Sequence, residues 1–303
     1  MNIIRMTGGL GNQMFGYALY LKFKSLGTEC AFDDFSQYEN YTGDIARRPL
    51  LLKKVFGIDY PVVTKEVYDE FTDSSMRLDK RLARKILGRR SRIYEEKAFL
   101  YDTEVLSKDN VYITGYFQSE KYFSDIKDEV IRSFSFTDEV KKEAEELIKK
   151  YDLGLSGDVG DSLLEKNSVS IHIRRGDYLD NPEAYGNICT DDYYKRAVRY
   201  IKERVDDPVF LLFSNDPEWT ADWTSGIFEA DDRYVVIRET TEETGYIDMY
   251  LMSRCAHNII ANSSFSWWGA YLNPTPKKIV IAPSKWVNDH ETPDIYTSQM
   301  VRI

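Results

Sequence analysis

Short apolar segments alternate with helical patterns through the second half of this 303-residue sequence, and the alternation limits the folds that the chain can adopt. The apolar segments predict strands over 168–173, 209–214, 234–237, 259–261 and 278–282. The spacing of apolar residues between them predicts helices over 191–205, 217–223, 246–254 and 265–272. This order is typical of an α/β domain with a parallel, doubly wound sheet, in which ligands bind beyond the carboxyl ends of the strands.

The first half has a similar but less regular pattern. It predicts strands over 2–6, 29–32 and 111–114, and helices over 12–26, 50–56, 79–88, 120–134 and 138–151. Three glycines among polar residues then mark 153–167 as a linker. We therefore expect two domains, over 1–152 and 168–303, which suits the length of the chain.

Charge is distributed unevenly along the sequence. The formal net charge is −10, and residues 1–150 hold 25 basic and 25 acidic residues, so the acidic excess lies entirely in the second half. A general nucleic-acid-binding protein needs a basic face, and we therefore expect no nucleic-acid partner.

Several features indicate a cytoplasmic protein. No apolar run approaches the roughly 18 residues of a membrane span, and the N-terminus lacks the basic start and cleavage site of a signal peptide. Cys30, Cys189 and Cys255 are scattered, which fits buried thiols in a reducing compartment better than a disulfide framework.

The strongest group of polar candidates follows the first strand of the second half. His172, Arg174, Arg175 and Asp177 lie within six residues, at the end of the strand where this fold binds ligands. Arginine offers planar, bidentate donors that suit phosphate, so the segment predicts a phosphate site. A surface ion pair between Arg175 and Asp177 is the alternative.

A second group of candidates lies at 259–269, where an apolar strand runs into small hydroxyl residues and then a helix. Free backbone N–H groups at a helix start, with the hydroxyls of Ser263 and Ser264 beside them, form an anion site. We also expect Asn262 or Ser263 to cap this helix through its side chain, and the two tryptophans that follow to lie in the core.

The turn near the N-terminus carries a weaker motif. Gly9 and Gly11 resemble the start of a dinucleotide fingerprint, and Asp33 lies about 20 residues further on. Met14 occupies the position of the third glycine, so the fingerprint is incomplete.

Asp216 follows another strand of the second half. Its carboxylate could accept hydrogen bonds from the edge of a purine, or it could cap the helix that begins after it. The sequence leaves these two roles open.

No two aspartates stand two positions apart, so the chain has no Asp-x-Asp motif of the kind that holds a divalent ion on a nucleotide sugar. The negative charge of a leaving diphosphate would then be stabilised by side chains and helix ends. The three histidines are too scattered to indicate a metal site.

One basic run stands out in the first half: Lys80, Arg81, Arg84, Lys85, Arg89, Arg90 and Arg92. Leucine and isoleucine residues occur among them at helical spacing. The run is either a solvated helix face or a surface for anionic lipid headgroups or a phosphorylated acceptor.

Taken together, the motifs resemble those of a known family. Gly-Gly-Leu-Gly-Asn-Gln-Met-Phe at 8–15, His-Ile-Arg-Arg-Gly-Asp-Tyr at 172–178 and Asn-Ser-Ser-Phe-Ser-Trp-Trp-Gly-Ala at 262–270 are similar to segments of family 11 glycosyltransferases, the bacterial α-1,2-fucosyltransferases. Residues 115–119 and 213–216 are similar as well. Gly16 and Asn215 depart from the family pattern, in which a polar residue and an aspartate are usual.

The resemblance implies a GT-B fold, in which two Rossmann-like domains face a central cleft. Residues 1–152 would form the acceptor-side domain and 168–303 the domain that binds GDP-fucose. The implied reaction transfers L-fucose from GDP-β-L-fucose to the 2-hydroxyl of a galactose-terminated glycan, with inversion and without a metal or other cofactor. In bacteria such enzymes build surface polysaccharide, so we expect weak peripheral contact of Lys80 to Arg92 with the inner membrane.

The resemblance also suggests roles for single residues. Arg174, assisted by His172, would stabilise the charge on the diphosphate together with the helix start at Ser263, Ser264 and Phe265. Arg175 would also bind the donor and would order the loop with Asp177, and Asp216 would bind guanine. The remaining implied contacts come from the first domain: Gly9, Gly11 and Gln13 to the donor, and Asn12 as a catalytic candidate, although an amide is a poor base.

Three other functions stay open on the sequence alone. A dinucleotide-dependent oxidoreductase would use Gly9, Gly11 and Asp33. A non-catalytic carbohydrate-binding protein would use Trp267 and Trp268. A transferase of the same class could use another nucleotide sugar.

Overall fold

The computed structural model describes residues 1–38, 49–88, 90–151, 167–175, 181–241 and 243–303. Contacts divide the chain into two compact units, Met1–Ser133 and Phe134–Ile303. The predicted linker over 153–167 lies, apart from Asn167, outside the described residues, as does Asp177. Among the described residues, no helix is long and apolar enough to cross a membrane.

The first unit contains a four-stranded parallel sheet with the strand order β2-β1-β4-β3. Its strands are β1 (Asn2–Arg5), β2 (Cys30–Asp33), β3 (Ile93–Glu95) and β4 (Tyr112–Thr114). Its helices are α1 (Leu10–Ser25), α2 (Leu52–Phe56), α3 (Lys65–Thr72), α4 (Leu78–Leu87) and α5 (Lys127–Ser133). The single helix predicted over 120–134 is instead two 3₁₀ turns followed by α5.

The second unit contains a six-stranded parallel sheet with the strand order β10-β9-β8-β5-β6-β7. Its strands are β5 (Ser168–Ile173), β6 (Val209–Ser214), β7 (Arg233–Val236), β8 (His257–Ile259), β9 (Val280–Ala282) and β10 (Met300–Arg302). Its helices are α6 (Asp138–Lys150), α7 (Pro182–Tyr185), α8 (Asp191–Lys202), α9 (Pro217–Trp223), α10 (Tyr246–Arg254) and α11 (Ser264–Leu272). This is the strand order of a Rossmann fold, and the direction of winding reverses between β5 and β8.

The core of the second unit forms because α8 presents one apolar face to the sheet. Tyr194, Ala197, Val198 and Ile201 are buried on that face, as the sequence predicts, against buried side chains of β5 and β6. The hydroxyl of Thr190 accepts a hydrogen bond from the backbone N–H of Tyr193 at 3.3 Å and so begins the helix.

The division between the units differs from the boundary predicted at residue 152. Helix α6 packs on α10, where the hydroxyl of Tyr246 donates to Glu143 at 2.8 Å. Just before α6, Phe134 contacts Trp268 edge-on at a ring distance of 5.0 Å. The apolar face of α6 therefore belongs to the core of the second unit.

Candidate active site

The carboxyl ends of β5, β6 and β8 lie side by side in the second sheet. The winding reverses between β5 and β8, and we call this place the switch point. β5 pairs with β6 on one side and β8 on the other, with Ile173 opposite Ser214 and Ile171 opposite Ile259. The polar residues that follow each strand therefore lie at one edge of the sheet, where Rossmann folds bind their ligands.

The two arginines after β5 differ in their surroundings. The backbone N–H of Arg175 donates to the side-chain oxygen of Asn215 at 3.0 Å, and its Nε donates to Asp216 at 3.3 Å. Its guanidinium also lies 3.5 Å from the ring centre of Trp219. Arg175 is thus held by three neighbours on and beside α9. Arg174 is half-buried directly after the strand, next to His172.

Both oxygens of Asp216 have partners within the protein. Oδ1 accepts from the backbone N–H of Trp219 at 3.2 Å and caps α9, while Oδ2 accepts from Arg175. The sequence left two roles open for Asp216, and the structure shows the role of helix cap. The contact with guanine stays a prediction, which Asp216 would have to make in addition to these two bonds.

His172 lies buried at the end of β5. Burial, reinforced by the positive charge of Arg174, lowers the pKa of its imidazole to about 3, so the ring is neutral at physiological pH. Its Nδ1 is buried without a hydrogen-bond partner among the described residues. The ring centre lies 5.6 Å from that of Phe265 in α11, which brings two of the sequence motifs together.

The N-cap residue of α11 does not cap the helix through its side chain. Ser263 is the N-cap residue, but its hydroxyl makes no capping bond, and the amide nitrogen of Asn262 donates to the backbone oxygen of Trp286 at 2.9 Å. The predicted side-chain cap is therefore wrong. The N–H groups of the first turn, at Ser264 and Phe265, keep the positive end of the helix dipole available to an anion.

Asp248, which the sequence analysis missed, lies in the first turn of α10. Its Oδ2 accepts from the hydroxyl of Thr240 at 3.0 Å, and its Oδ1 is buried with no hydrogen-bond partner in the described part of the chain. Burial raises the pKa of this carboxyl to about 7, against a smaller lowering by Thr240. The available signal was a lone acidic residue in a helix that is otherwise buried over 246–253.

The glycine-rich turn lies in the first unit, at the carboxyl end of β1. Gln13 is fully buried there: its amide nitrogen donates to the oxygens of Gly8 and Pro49, and its oxygen accepts from the N–H of Leu51 at 2.9 Å. Gln13 therefore braces the turn through its buried side chain, and its contact with the donor stays a prediction.

Asn12 is half-buried in the first turn of α1 and is linked to another strand end. Its side-chain oxygen accepts from the amide of Gln118 at 2.8 Å. Gly9 is the N-cap residue of the same helix and Gly11 is buried in its first turn. The turn thus joins the segment after β4 but supplies no carboxylate or imidazole that could act as a base.

The segment after β4 is held by a residue which the sequence analysis missed. Glu96 follows β3, and its carboxylate accepts from the backbone N–H groups of Tyr116 and Phe117 at 2.6 and 3.1 Å. Phe117 has a φ of 50°, in the left-handed region that non-glycine residues seldom adopt. Glu96 therefore stabilises a strained turn beside Gln118.

The dinucleotide interpretation is wrong because the carboxylate of Asp33 already accepts hydrogen bonds from other residues of the protein. It is 1% exposed and accepts from the hydroxyl of Tyr112 at 2.6 Å and from the N–H and hydroxyl of Ser36. No oxygen remains to bind a ribose hydroxyl.

The carbohydrate-binding interpretation is wrong for a similar reason. Trp267 and Trp268 are both 0% exposed, and the indole N–H of Trp267 donates to the backbone oxygen of Ile295 at 2.7 Å. Neither ring can stack on a sugar, and both belong to the core as first expected.

Within the described ranges, one acidic cluster has the spacing of a metal site: Glu229, Asp231 and Asp232. The amine of Lys202 lies 2.7 Å from both Glu229 and Asp232 and supplies a positive charge there. The cluster precedes β7, at the amino end of the sheet, so it is separate from the site above.

The model of Glycosyl transferase family 11 matches residues 61–302. The chain belongs to this family. An Escherichia coli α-1,2-colitosyltransferase is 34% identical over 95% of this chain and 93% of its own length. The E. coli O-antigen biosynthesis glycosyltransferase WbnK is 32% identical over 93% of both chains, and human galactoside α-(1,2)-fucosyltransferase 1 is 27% identical over 88% of this chain and 64% of its own length.

This family 11 glycosyltransferase also resembles solved structures at low similarity. E. coli ADP-heptose heptosyltransferase II is 11% identical with a TM-score of 0.45, covering 100% of this chain and 90% of its own. POFUT1 in complex with GDP-fucose is 12% identical with the same score, covering 93% and 97%. The two parallel sheets confirm the α/β class, and the cleft between two facing domains stays a prediction.

The contacts of Arg175 predict that this family 11 enzyme loses stability in Arg175→Ala. Losing the stacking on Trp219 and the half-exposed ion pair with Asp216 is expected to cost about 1–2 kcal/mol, or several degrees in the midpoint of thermal unfolding. Arg196→Ala, which breaks only an exposed pair with Asp192, is the control and should unfold as wild type does. An unchanged midpoint together with complete loss of nucleotide affinity would reverse the roles of the two arginines.

Proposed function

We propose that the protein transfers L-fucose from GDP-β-L-fucose to the 2-hydroxyl of a terminal β-galactoside, with inversion, to give an α-1,2 linkage. Membership of glycosyl transferase family 11 supports the class of reaction, and two of the relatives are named as α-1,2 transferases. The observation that carries the proposal is the switch point of the second sheet, where a neutral His172 lies next to Arg174 and 5.6 Å from Phe265 in the first turn of α11.

In the proposed reaction the acceptor hydroxyl attacks the anomeric carbon of fucose as the bond to GDP breaks. Negative charge then develops on the β-phosphate, and stabilising it is the main catalytic task. Arg174 supplies a charged donor, and the first N–H groups of α11 supply the positive end of a helix dipole.

His172 supports this task as a neutral residue. Because its pKa is lowered to about 3, it adds no second positive charge beside Arg174 at physiological pH. A neutral imidazole can still donate one N–H to a phosphate oxygen. We assign it that role and propose that the hydroxyl proton leaves late or passes to phosphate oxygen.

For the guanine base we propose Asp248 in place of Asp216. Guanine presents two neighbouring N–H donors, which a carboxylate can accept. Asp216 already holds Trp219 and Arg175, whereas Asp248 has a buried oxygen with no partner among the residues described. An unpaired buried oxygen is costly, and a ligand that satisfies it gains affinity and specificity.

Colitose is the second candidate sugar, because the E. coli α-1,2-colitosyltransferase is 34% identical to this chain. Colitose is fucose without the 3-hydroxyl. A site that hydrogen-bonds this hydroxyl can prefer fucose over the deoxy sugar by about 10⁴-fold. An apolar site at this position discriminates only weakly between the two sugars.

The test of the proposed function is transfer from a panel of GDP-fucose, GDP-colitose, UDP-galactose and ADP-heptose to a galactose-terminated disaccharide. We expect GDP-fucose to give the highest kcat/KM and an α-1,2-linked product, identified by NMR. A preference for GDP-colitose would change the sugar but leave the nucleotide site intact. Transfer from UDP- or ADP-sugars alone would contradict the proposal.

Arg174→Ala is expected to abolish transfer without unfolding the protein. Removing a charged donor from a developing oxyanion costs about 3–4 kcal/mol, or about 10²–10³ in kcat. Steady-state kinetics and thermal unfolding measure the two effects, with Arg196→Ala as the control. A variant that keeps more than about a tenth of wild-type turnover would refute this role.

Transfer is expected to persist in excess EDTA, because the sequence offers no Asp-x-Asp pair to carry a metal on the diphosphate. The assay compares initial rates before and after dialysis against the chelator. Loss of activity that magnesium or manganese restores would overturn this prediction.

Asp248 predicts that GDP binding releases a proton. The pKa of its carboxyl is raised to about 7 from an ordinary 3.8, and donation from guanine stabilises the ionised form. The affinity for GDP should therefore rise as the pH rises toward 7 and level off above it, where the free carboxyl is already ionised. Calorimetry in two buffers of different ionisation enthalpy measures the proton release.

Asp248→Asn should bind GDP about 10–100-fold more weakly and without proton release, since an amide presents no charged acceptor. Asp192→Asn, at an exposed position on α8, is the control. Equal proton release by wild type and Asp248→Asn would show that another group titrates.

A further inference from the structure

Helix α4 exposes its apolar residues to solvent. A surface helix of a globular protein normally buries its apolar stripe against the core. None of the ten residues of α4 is buried, and Leu78, Leu82 and Ile86 are 80%, 59% and 72% exposed. These three residues are spaced by four, so they form one continuous stripe on the helix. We call them the aliphatic stripe.

The opposite face of α4 is bound to the rest of the first unit by an ion pair and a hydrogen bond. The guanidinium of Arg84 donates to Asp73 at 3.2 Å and to the backbone oxygen of Ser75 at 2.6 Å, and its side chain is 19% exposed. Since Arg84 is two residues from both Leu82 and Ile86, it lies on the other side of the helix. The aliphatic stripe therefore points away from the body of the unit.

The charges around the stripe are mainly positive. Lys80, Arg81 and Lys85 are exposed and have no ion-pair partner among the described residues. Arg81 and Lys85 border the aliphatic stripe, because each is one position from Leu82 or Ile86. The acidic Asp79 is paired with Arg77 at 3.2 Å.

The structure thus divides the basic run that the sequence presented as one surface. Arg84 is bound to Asp73, Arg92 pairs with Glu70 at 2.8 Å, and Arg89 lies outside the described residues. These arginines are therefore not the ones to test.

We propose that α4 binds the surface of an anionic lipid bilayer, with the aliphatic stripe inserted at the acyl boundary and Arg81 and Lys85 at the phosphate groups. Ten residues span only about 15 Å, so the helix is suited to lie in the interface and not to cross it. Long basic side chains can extend along an apolar surface and keep their charged ends at the headgroups.

A second copy of the chain fits this face less well. A two-fold interface on α4 would bring the stripe of one copy against that of the other, and it would also bring Arg81 and Lys85 close to their own symmetry mates. Like charges at that distance repel, whereas an anionic bilayer attracts them.

The test is flotation of the full-length protein with two kinds of vesicle, pure phosphatidylcholine and an equal mixture of phosphatidylcholine and phosphatidylglycerol. We expect binding to the mixed vesicles that weakens as salt rises, and none to the neutral ones. Absence of binding to the mixed vesicles at low salt would overturn the proposal.

Two double variants separate the apolar and the charged contributions. Leu82→Ser with Ile86→Ser, and Arg81→Gln with Lys85→Gln, should each reduce partition onto mixed vesicles by about tenfold or more. None of these four side chains is buried, so the core is unaffected. Equal binding by wild type and both variants would show that the contact lies elsewhere.

Matched controls come from other exposed positions. Leu26→Ser removes a leucine that is 50% exposed after α1, and Lys142→Gln with Lys149→Gln removes two exposed charges from α6. Both should bind as wild type does, and transfer to a soluble disaccharide should be unchanged in every variant. Leu82→Trp adds a direct readout, a blue shift of its emission on mixed vesicles.

Sedimentation equilibrium tests the alternative occupant. A dimer that Leu82→Ser with Ile86→Ser dissociates, in a protein that does not float with vesicles, would assign the face to a second copy and contradict the proposal. A monomer that binds the mixed vesicles supports it.

Discussion

The parallel pairing of β5 with both β6 and β8 is the constraint on which the proposed site depends. It places the residues after Ile173 between those that follow Ser214 and Ile259. A shift of one residue in either pairing would turn His172 to the other face of the sheet. The buried packing of α8 on this sheet resists such a shift, so the positions of the polar residues are fixed by the core.

In this arrangement the adjacent Arg174 and Arg175 have different surroundings, and we assign them different roles. Arg175 stacks on Trp219 and pairs with Asp216, which itself caps α9, so the strand end and the next helix are joined through one carboxylate. Arg174 follows β5 directly and lies beside a histidine that burial keeps neutral. A charged donor next to a neutral histidine suits an anion whose charge grows during the reaction.

The sequence predicts most of the regular structure because each element has its own periodic signal. Strands β5 and β6 match their predicted bounds, and the buried face of α8 follows from its spacing. The short strands β3 and β10 were missed because three residues carry too little periodicity to recognise.

The features that the sequence could not predict depend on contacts between distant residues. Asn262 does not cap α11, because Ser263 is the N-cap residue and the side-chain oxygen of Asn262 accepts from the thiol of the distant Cys189. The sequence motif offers Gln13 as a ligand contact, but in the structure its side chain bonds to the backbone of Pro49 and Leu51. Asp248 belongs to no motif, and its buried oxygen, which has no hydrogen-bond partner among the described residues, arises because the helix around it is buried.

The central claim is that the switch point of the second sheet binds the nucleotide diphosphate, and a crystal structure with GDP tests it most directly. The account predicts the β-phosphate within hydrogen-bonding distance of Arg174 and of the N–H groups of Ser264 and Phe265, with guanine on Asp248. Phosphate bound to Arg175 with the Asp216 contact broken, or GDP bound away from this edge of the sheet, would contradict it.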